Sequence, residues 1–278
     1  MTIVVTGATG QFGRHVVKAL LAKGVPADRI VATGRNVDKI ADLGVTVKRA
    51  AYEDPASLRA AFAGADKVLL VSGTDFGSRV EQHRNAIEAA KEAGVGLIVY
   101  TSAPKADTTD MRLAEEHLGT ERVLAESGVP YVILRNSWYL ENYNLPQALE
   151  HGLFGAAGDG KISAAPRADY AEAAAEVLVG EGHEGQVYEL GGDAFTLTEL
   201  AAELSRQSGK EVSYTDLGEE KYAEMLVGVG LPPAGAAIIA DSDRAASGGA
   251  LFVEPTHLEK LLGRPVTPLA TSIRDALS

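Results

Sequence analysis

The first half of the chain alternates between two hydrophobic rhythms. Short, nearly unbroken apolar and β-branched runs fall at Thr2–Thr6, Arg29–Thr33, Val45–Lys48, Lys67–Val71, Leu97–Thr101 and Tyr131–Leu134. Runs of that length, apolar on both sides of the pleat, suit strands buried on both faces of a parallel sheet. Between them, Gln11–Lys23, Pro55–Ala63, Arg79–Ala93 and Arg112–Ser127 carry helical spacing, with Val16, Ala19 and Leu20 on one face of the first. Gly24, Gly64, Gly94 and Gly128 follow these segments, where a helix ends most easily on a residue that tolerates positive φ. Strand and helix in turn predict an α/β fold with a doubly wound parallel sheet of the Rossmann type.

After Arg135 the rhythm changes. Asn136–Gly160 is rich in aromatic residues, Asn and Gly, and reads as loops with one short helix. Helices are expected at Asp169–Val179, Thr196–Ser208, Glu219–Val227, Ala234–Ala245 and Pro255–Leu262, and Thr267–Leu277 closes the chain. Strands are expected at Gln186–Leu190 and Glu211–Thr215. Thr196 with Glu199 has the spacing of a capping box. The expected division is a nucleotide-binding domain over 1–135, rejoined by about 169–190, and a smaller, mostly helical C-terminal lobe over 136–278 that binds substrate.

Composition narrows the chemistry. The chain has 278 residues, no cysteine and a formal net charge of −12. Without thiols there are no disulfides, thiolate metal sites or cysteine nucleophiles. The six histidines show no His-x-x-x-His pair, so no metal is expected. The acidic balance argues against nucleic-acid partners. No apolar run nears the roughly 18 residues that cross a bilayer, so membrane insertion is not expected. No signal-peptide pattern follows Met1, so the expected location is the cytoplasm.

Against this acidic background one motif is built for an anion. The first strand runs into Gly7-Ala8-Thr9-Gly10-Gln11-Phe12-Gly13, and a helix follows at once. Glycines at this spacing permit a tight turn and close approach of backbone to a pyrophosphate, which the helix N-terminus attracts. NAD-specific folds place Asp or Glu at the end of the second strand; here stands Arg35, whose guanidinium suits a 2′-phosphate. NADPH is therefore the expected cofactor, with Arg14 adding to the same field. Ser72-Gly73-Thr74 ends the fourth strand at the crevice where a cofactor would lie.

The glycine turn and sheet resemble the short-chain dehydrogenase/reductase superfamily, whose usual members carry Tyr-x-x-x-Lys after the fifth strand. No tyrosine here has lysine four places on, and the corresponding positions are His117 and Glu121. His117 is the one weak candidate for a proton donor; a solvent-facing helical histidine is the competing reading. Reducing a simple ketone makes an alkoxide that needs such a donor. Hydride addition to a quinone makes an aromatic phenolate, and addition to a cationic dye neutralises charge. The missing pair thus points to a conjugated acceptor.

Further segments sharpen the resemblance: Gln82-His83-Arg84-Asn85, Leu134–Tyr143, Gly155–Lys161 and Arg167-Ala168-Asp169-Tyr170-Ala171. With the glycine turn they resemble the NmrA-like branch of atypical short-chain reductases along essentially the whole chain, most of all its bacterial type 2 NADPH:quinone oxidoreductases. Dye-reducing members are similar at a greater distance. The resemblance implies that NADPH is held by Gly7, Ala8, Thr9, Gly10, Gln11, Phe12, Gly13, Arg35, Ser72, Gly73, Thr74, Asn136, Ser137, Trp138, Tyr139, Leu140, Glu141 and Arg167. Trp138, Tyr139, Asn142 and Tyr143 are expected to line the quinone side, and a homodimer is compatible with it. A non-catalytic NADP(H)-binding redox sensor is the alternative of another class. A sugar-nucleotide epimerase fits least, because it needs the absent tyrosine.

Overall fold

The computed structural model describes residues 1–277. In chain order the elements are β1 (Ile3–Val5), α1 (Gln11–Ala22), β2 (Ile30–Gly34), β3 (Thr46–Arg49), α2 (Pro55–Phe62), β4 (Lys67–Leu70), α3 (Arg79–Glu92), β5 (Leu97–Ser102), α4 (Arg112–Ser127) and β6 (Tyr131–Asn136). Then follow β7 (Trp138–Tyr139), α5 (Leu145–His151), β8 (Leu153–Gly155), β9 (Ala164–Ala165), α6 (Arg167–Val179), β10 (Val187–Leu190), α7 (Leu197–Ser208), β11 (Tyr214–Asp216), α8 (Glu219–Gly228), α9 (Pro233–Ser247), α10 (Thr256–Leu262) and α11 (Leu269–Leu277). Short 3-10 turns lie at Ala27–Arg29, Val37–Leu43 and Leu140–Tyr143.

Seven strands form one sheet in the order β10-β6-β5-β4-β1-β2-β3. Every adjacent pair from β6 across to β3 is parallel. Val4, Val31, Val68, Leu70, Ile98 and Tyr100 pack with Leu58 and Phe62 of α2, Ile87 of α3 and Leu124 of α4. On α1, Phe12, Val16, Val17 and Leu20 are buried; Ala19, expected on that stripe, is only half-buried. Helix α6, whose buried residues include Ala171, Ala173, Ala174 and Ala175, packs against α1, and small side chains let two helix backbones approach closely. The glycines expected after helices adopt positive φ at Gly24, Gly64, Gly94 and Gly128.

The chain divides into two compact units. The first comprises Met1–Ser102, Glu116–Arg135 and Arg167–Tyr188. The second comprises Ala103–Glu115, Asn136–Pro166 and the chain from Glu189 onward. Ala103–Glu115, ahead of residue 136, goes with the second unit because its polar groups are held there. Lys105 N–H donates to Glu189 and its ammonium to the Gly249 carbonyl, and Arg112 N–H donates to Asp241 at 2.7 Å. In this unit α7 buries Leu197, Leu200, Ala201 and Leu204, one stripe at helical spacing. Its capping box forms: Glu199 N–H donates to Thr196 Oγ1 at 3.1 Å, and Thr196 N–H to Glu199 at 2.7 Å.

Asn136–Gly160 holds more than the loops and single helix its sequence suggests. It contains β7 and β8, which pair in parallel with β9 and β11. Strands of two or three residues are too short to display an alternation. The strand expected at Glu211–Thr215 is shorter and starts later, at Tyr214. Among the described residues, no helix is long and apolar enough to cross a membrane.

Candidate functional site

The first unit gathers several expected residues at the carboxyl ends of three adjacent strands. The chain leaves β1 toward β2 on one side and β4 toward β5 on the other, so the strand order reverses between β1 and β4. That is where open α/β sheets receive ligands. The glycine turn sits at the end of β1, Arg35 at the end of β2 and Ser72–Thr74 after β4.

The turn is built around atoms a side chain would displace. Gly7 has φ +60°, and its carbonyl accepts the Gly10 N–H at 2.9 Å. A Cβ on Gly13 would lie 2.7 Å from the Gly7 carbonyl oxygen and 2.8 Å from Ala8 Cα. Gly10 caps α1 without a side-chain acceptor, and the first turn carries no acidic residue. Nothing in the local sequence neutralises the positive end of the helix, which is the condition for anion binding. A Cβ on Gly34 would come within 2.4 Å of Thr9 Cγ2. Gly34 therefore lets the turn press against the end of β2, bringing Arg35 beside it.

The cations differ in what they are committed to. The Arg35 side chain is 66% exposed and its Nη1 lies 3.9 Å from Asp75 Oδ2, a loose pair that leaves it available. Arg167, the first residue of α6, donates to Gln11 Oε1 at 2.7 Å, next to the glycine turn. Arg14 is engaged elsewhere: it donates twice to Asp42, at 2.7 and 3.0 Å, and once to the Lys39 carbonyl. It anchors the 3-10 turn Val37–Leu43 instead of adding to a phosphate field.

Beyond the end of β4, side chains replace strand partners. Val71 N–H donates to Thr6 Oγ1 at 3.0 Å, Val71 carbonyl accepts from the Tyr52 hydroxyl at 2.5 Å, and Ser72 N–H donates to Thr101 Oγ1 at 2.9 Å.

The positions of the usual Tyr/Lys pair are occupied by core structure. His117 is 5% exposed and its Nδ1 lies 2.8 Å from the Tyr100 hydroxyl. Burial, with Arg79 and His83 adding to it, holds its pKa well below the ordinary imidazole value. A buried imidazole held neutral is a poor general acid near pH 7, and His117 is not the solvent-facing histidine of the competing reading. Glu121 accepts from Arg135 Nε and Nη2 at 3.0 and 2.7 Å and from the Ser102 hydroxyl at 2.6 Å. Both ends of that pair are buried.

Asn136–Tyr143 belongs to the second unit. Ser137 is committed to backbone, with its N–H on Leu190 O and its hydroxyl on Leu251 O. Trp138 and Tyr139 are half-buried in β7, Leu140 is buried, and Glu141 and Asn142 are exposed. The Asn136 amide donates to the Tyr139 hydroxyl at 3.0 Å. Among the described residues, Asn136 Oδ1 and the Tyr143 hydroxyl are buried with no hydrogen-bond partner. Such atoms are costly unless a ligand or water completes them. The same unit holds Asp243, 2% exposed, whose Oδ2 accepts the Ala156 N–H at 3.1 Å. Burial pushes its carboxyl up to about 7. The hydroxyls of Tyr143 and Tyr222 are pushed up by burial first and then by the Asp243 charge, and that of Tyr214 by burial first, with Asp216 and then Asp243 adding to it.

Gly34, Asp75, Arg79 and His83 were not singled out from the sequence as site residues. Arg79 and His83 left a signal in their i, i+4 spacing on one helix face.

Comparison with known proteins gives the same outline. The model of the NmrA-like family matches residues 1–246. Quinone oxidoreductase 2 of Escherichia coli is 54% identical over 278 residues, covering 98% of this chain and 97% of that protein. The crystal structure of the NADPH-dependent quinone oxidoreductase of Escherichia coli complexed with NADPH superposes with a TM-score of 0.94 at 52% identity, covering all of both chains. Triphenylmethane reductase of Citrobacter sp., complexed with NADP(H), gives 0.92 at 39% identity, covering 99% of this chain and all of that one. The chain belongs to the NmrA-like family.

Proposed function

We propose that this protein is an NADPH-dependent quinone reductase. The observation that carries the reading is the 54% identity, along nearly the whole of both chains, to a quinone oxidoreductase. The site geometry supports it: the uncapped positive end of α1 beyond Gly7–Gly13 suits a pyrophosphate, and Arg35 stands where a 2′-phosphate would need a cation. Ser72, Gly73, Thr74 and Arg167 complete the cofactor side in the first unit. Asn136, Ser137, Trp138, Tyr139, Leu140 and Glu141 are the remaining cofactor positions. Trp138, Tyr139, Asn142 and Tyr143 are assigned to the acceptor.

Bound NADPH supplies a hydride. The balance is quinone, NADPH and one proton giving hydroquinone and NADP⁺. The protein's part is to bind and orient both molecules. It needs no general acid, because the product anion is a phenolate, and the buried state of His117 accords with that. We place the enzyme in the cytoplasm and expect a homodimer, which gel filtration and fractionation would test. The activity test is NADPH oxidation by 1,4-benzoquinone, with NADH and a triphenylmethane dye alongside. Turnover with a quinone and a preference for NADPH are expected; tight NADPH binding with no quinone or dye turnover would refute the reading.

A further inference from the structure

The Gly73 peptide is gripped on both sides by one helix. Its N–H donates to His83 Nε2 at 3.0 Å, and its carbonyl accepts from Arg79 Nε at 2.8 Å. Both side chains project from α3 four residues apart, which places them on one face. Helix α4 braces them from behind. His83 Nδ1 lies 2.9 Å from Thr120 Oγ1, and that hydroxyl donates to the Glu116 carbonyl at 3.0 Å. The Glu116 carboxylate accepts the Gly77 N–H at 2.7 Å and lies 3.4 Å from Arg79 Nη1. The two helices come this close because α4 carries Gly119, where a Cβ would sit 2.9 Å from Val80 Cγ2.

This chain of bonds has only one consistent direction. A backbone N–H can only donate, so His83 Nε2 must be bare. The proton of the neutral ring is then on Nδ1 and is given to Thr120, whose own proton goes to the Glu116 carbonyl. A second proton on the ring would point at the Gly73 N–H and break the grip. The surroundings prevent it: the ring is fully buried, the Arg79 cation lies on the same face, and the rings of Tyr52 and Tyr100 stand edge-on at 5.5 and 5.4 Å. Burial, reinforced by Arg79, brings the imidazole down to about 3.

We propose that His83 is a positioning residue for the cofactor, fixing the Ser72–Thr74 backbone through Gly73 in a geometry that Thr120 enforces by setting the ring tautomer. This rests on the proposed NADPH function of the loop. His83 does not touch the cofactor; it decides which way the Gly73 peptide faces. A buried donor that loses its acceptor turns or rearranges the peptide carrying it, and a loop so loosened binds less well.

The test uses the full chain and reads NADPH binding directly, by quenching of protein fluorescence. His83→Leu is expected to weaken NADPH binding about tenfold while changing the quinone KM by less than about twofold. His83→Gln, which can present an oxygen to the Gly73 N–H, is expected to recover most of that loss. Thr120→Val is expected to weaken binding by a few-fold, about threefold. Nitrogen NMR of the wild type should show one buried neutral histidine protonated on Nδ1 from about pH 5 to 8. Wild-type affinity in His83→Leu would overturn the proposal, as would a Gln variant as weak as the Leu variant or a ring protonated on Nε2. If His83→Leu does not fold, Thr120→Val and the NMR tautomer decide the matter. If the wild type itself fails to bind NADPH, the functional reading falls, and the tautomer measurement still tests the clamp.

Discussion

At the scale of single residues, the site separates charges that are free to meet a ligand from charges already satisfied. Arg35 is mostly exposed and only loosely paired, whereas Arg14 is held by Asp42. Arg35→Ala should therefore weaken NADPH binding by about tenfold and NADH binding little, because a cation facing a phosphate contributes on the order of 1.4 kcal/mol. Titrations with both cofactors would check this, and equal losses would remove the assigned role. Asp243 gives a prediction with a sign. Its folded pKa, about 7, lies above the ordinary value of 3.8, so the folded state holds the proton more tightly. The stability this contributes is fully present below about pH 4 and is lost as the pH rises to about 7. Asp243→Asn cannot ionise, so its urea midpoint should gain on the wild type between about pH 4 and 7 and keep that gain above. A constant difference across that range would show that Asp243 does not titrate there. The positions of the glycine turn and of Arg35, at the ends of β1 and β2, were legible in sequence because they depend on local spacing. The commitment of Arg14 was not, because its partner lies 28 residues away and no local rule pairs them.

At the scale of elements, strands and helices of the first unit could be read almost directly, since each buries a whole run or a whole stripe. The short β7, β8 and β9 could not, because their pairing is decided by contacts distant in sequence. Helix α4 shows the same limit. Its extent, Arg112–Ser127, agrees with the periodicity, but nothing in that pattern reveals that Glu121 faces Arg135 in the core. A buried ion pair that loses one member leaves an uncompensated charge, at a cost of about 3–5 kcal/mol. Glu121→Ala should lower stability by that amount in urea unfolding, far more than an exposed glutamate would. Thr196→Ala should cost about 1 kcal/mol by removing the cap of α7, measured the same way.

At the scale of the whole molecule, the sheet, the cofactor and the return of the α6–β10 segment to the first unit followed from sequence, while the place of Ala103–Glu115 in the second unit did not. Ala103–Glu115 joins the second unit through hydrogen bonds to Glu189, Gly249 and Asp241, none of which a local reading connects. Cofactor binding should be visible in global stability. With NADPH at about a hundred times its Kd, the folded state gains about 2.7 kcal/mol. For a chain of this size that corresponds to a rise in Tm of about 5–10 °C. NADH at the same concentration should give a smaller rise, and a thermal melt in the presence of each would show the order.

The buried Glu121–Arg135 pair also constrains how this protein could change. Placing the tyrosine and lysine of the usual short-chain dehydrogenase/reductases at positions 117 and 121 takes only two substitutions on paper. Lysine at 121 would set a second cation against the buried Arg135 guanidinium and take away the acceptor of the Ser102 hydroxyl. Tyrosine at 117 would enter a space already shared with Tyr100. Each change alone would lower folding stability before it could give any new chemistry. Conversion to an alcohol-forming enzyme would therefore need positions 121 and 135 to change together, because either member of the pair left alone is an uncompensated buried charge.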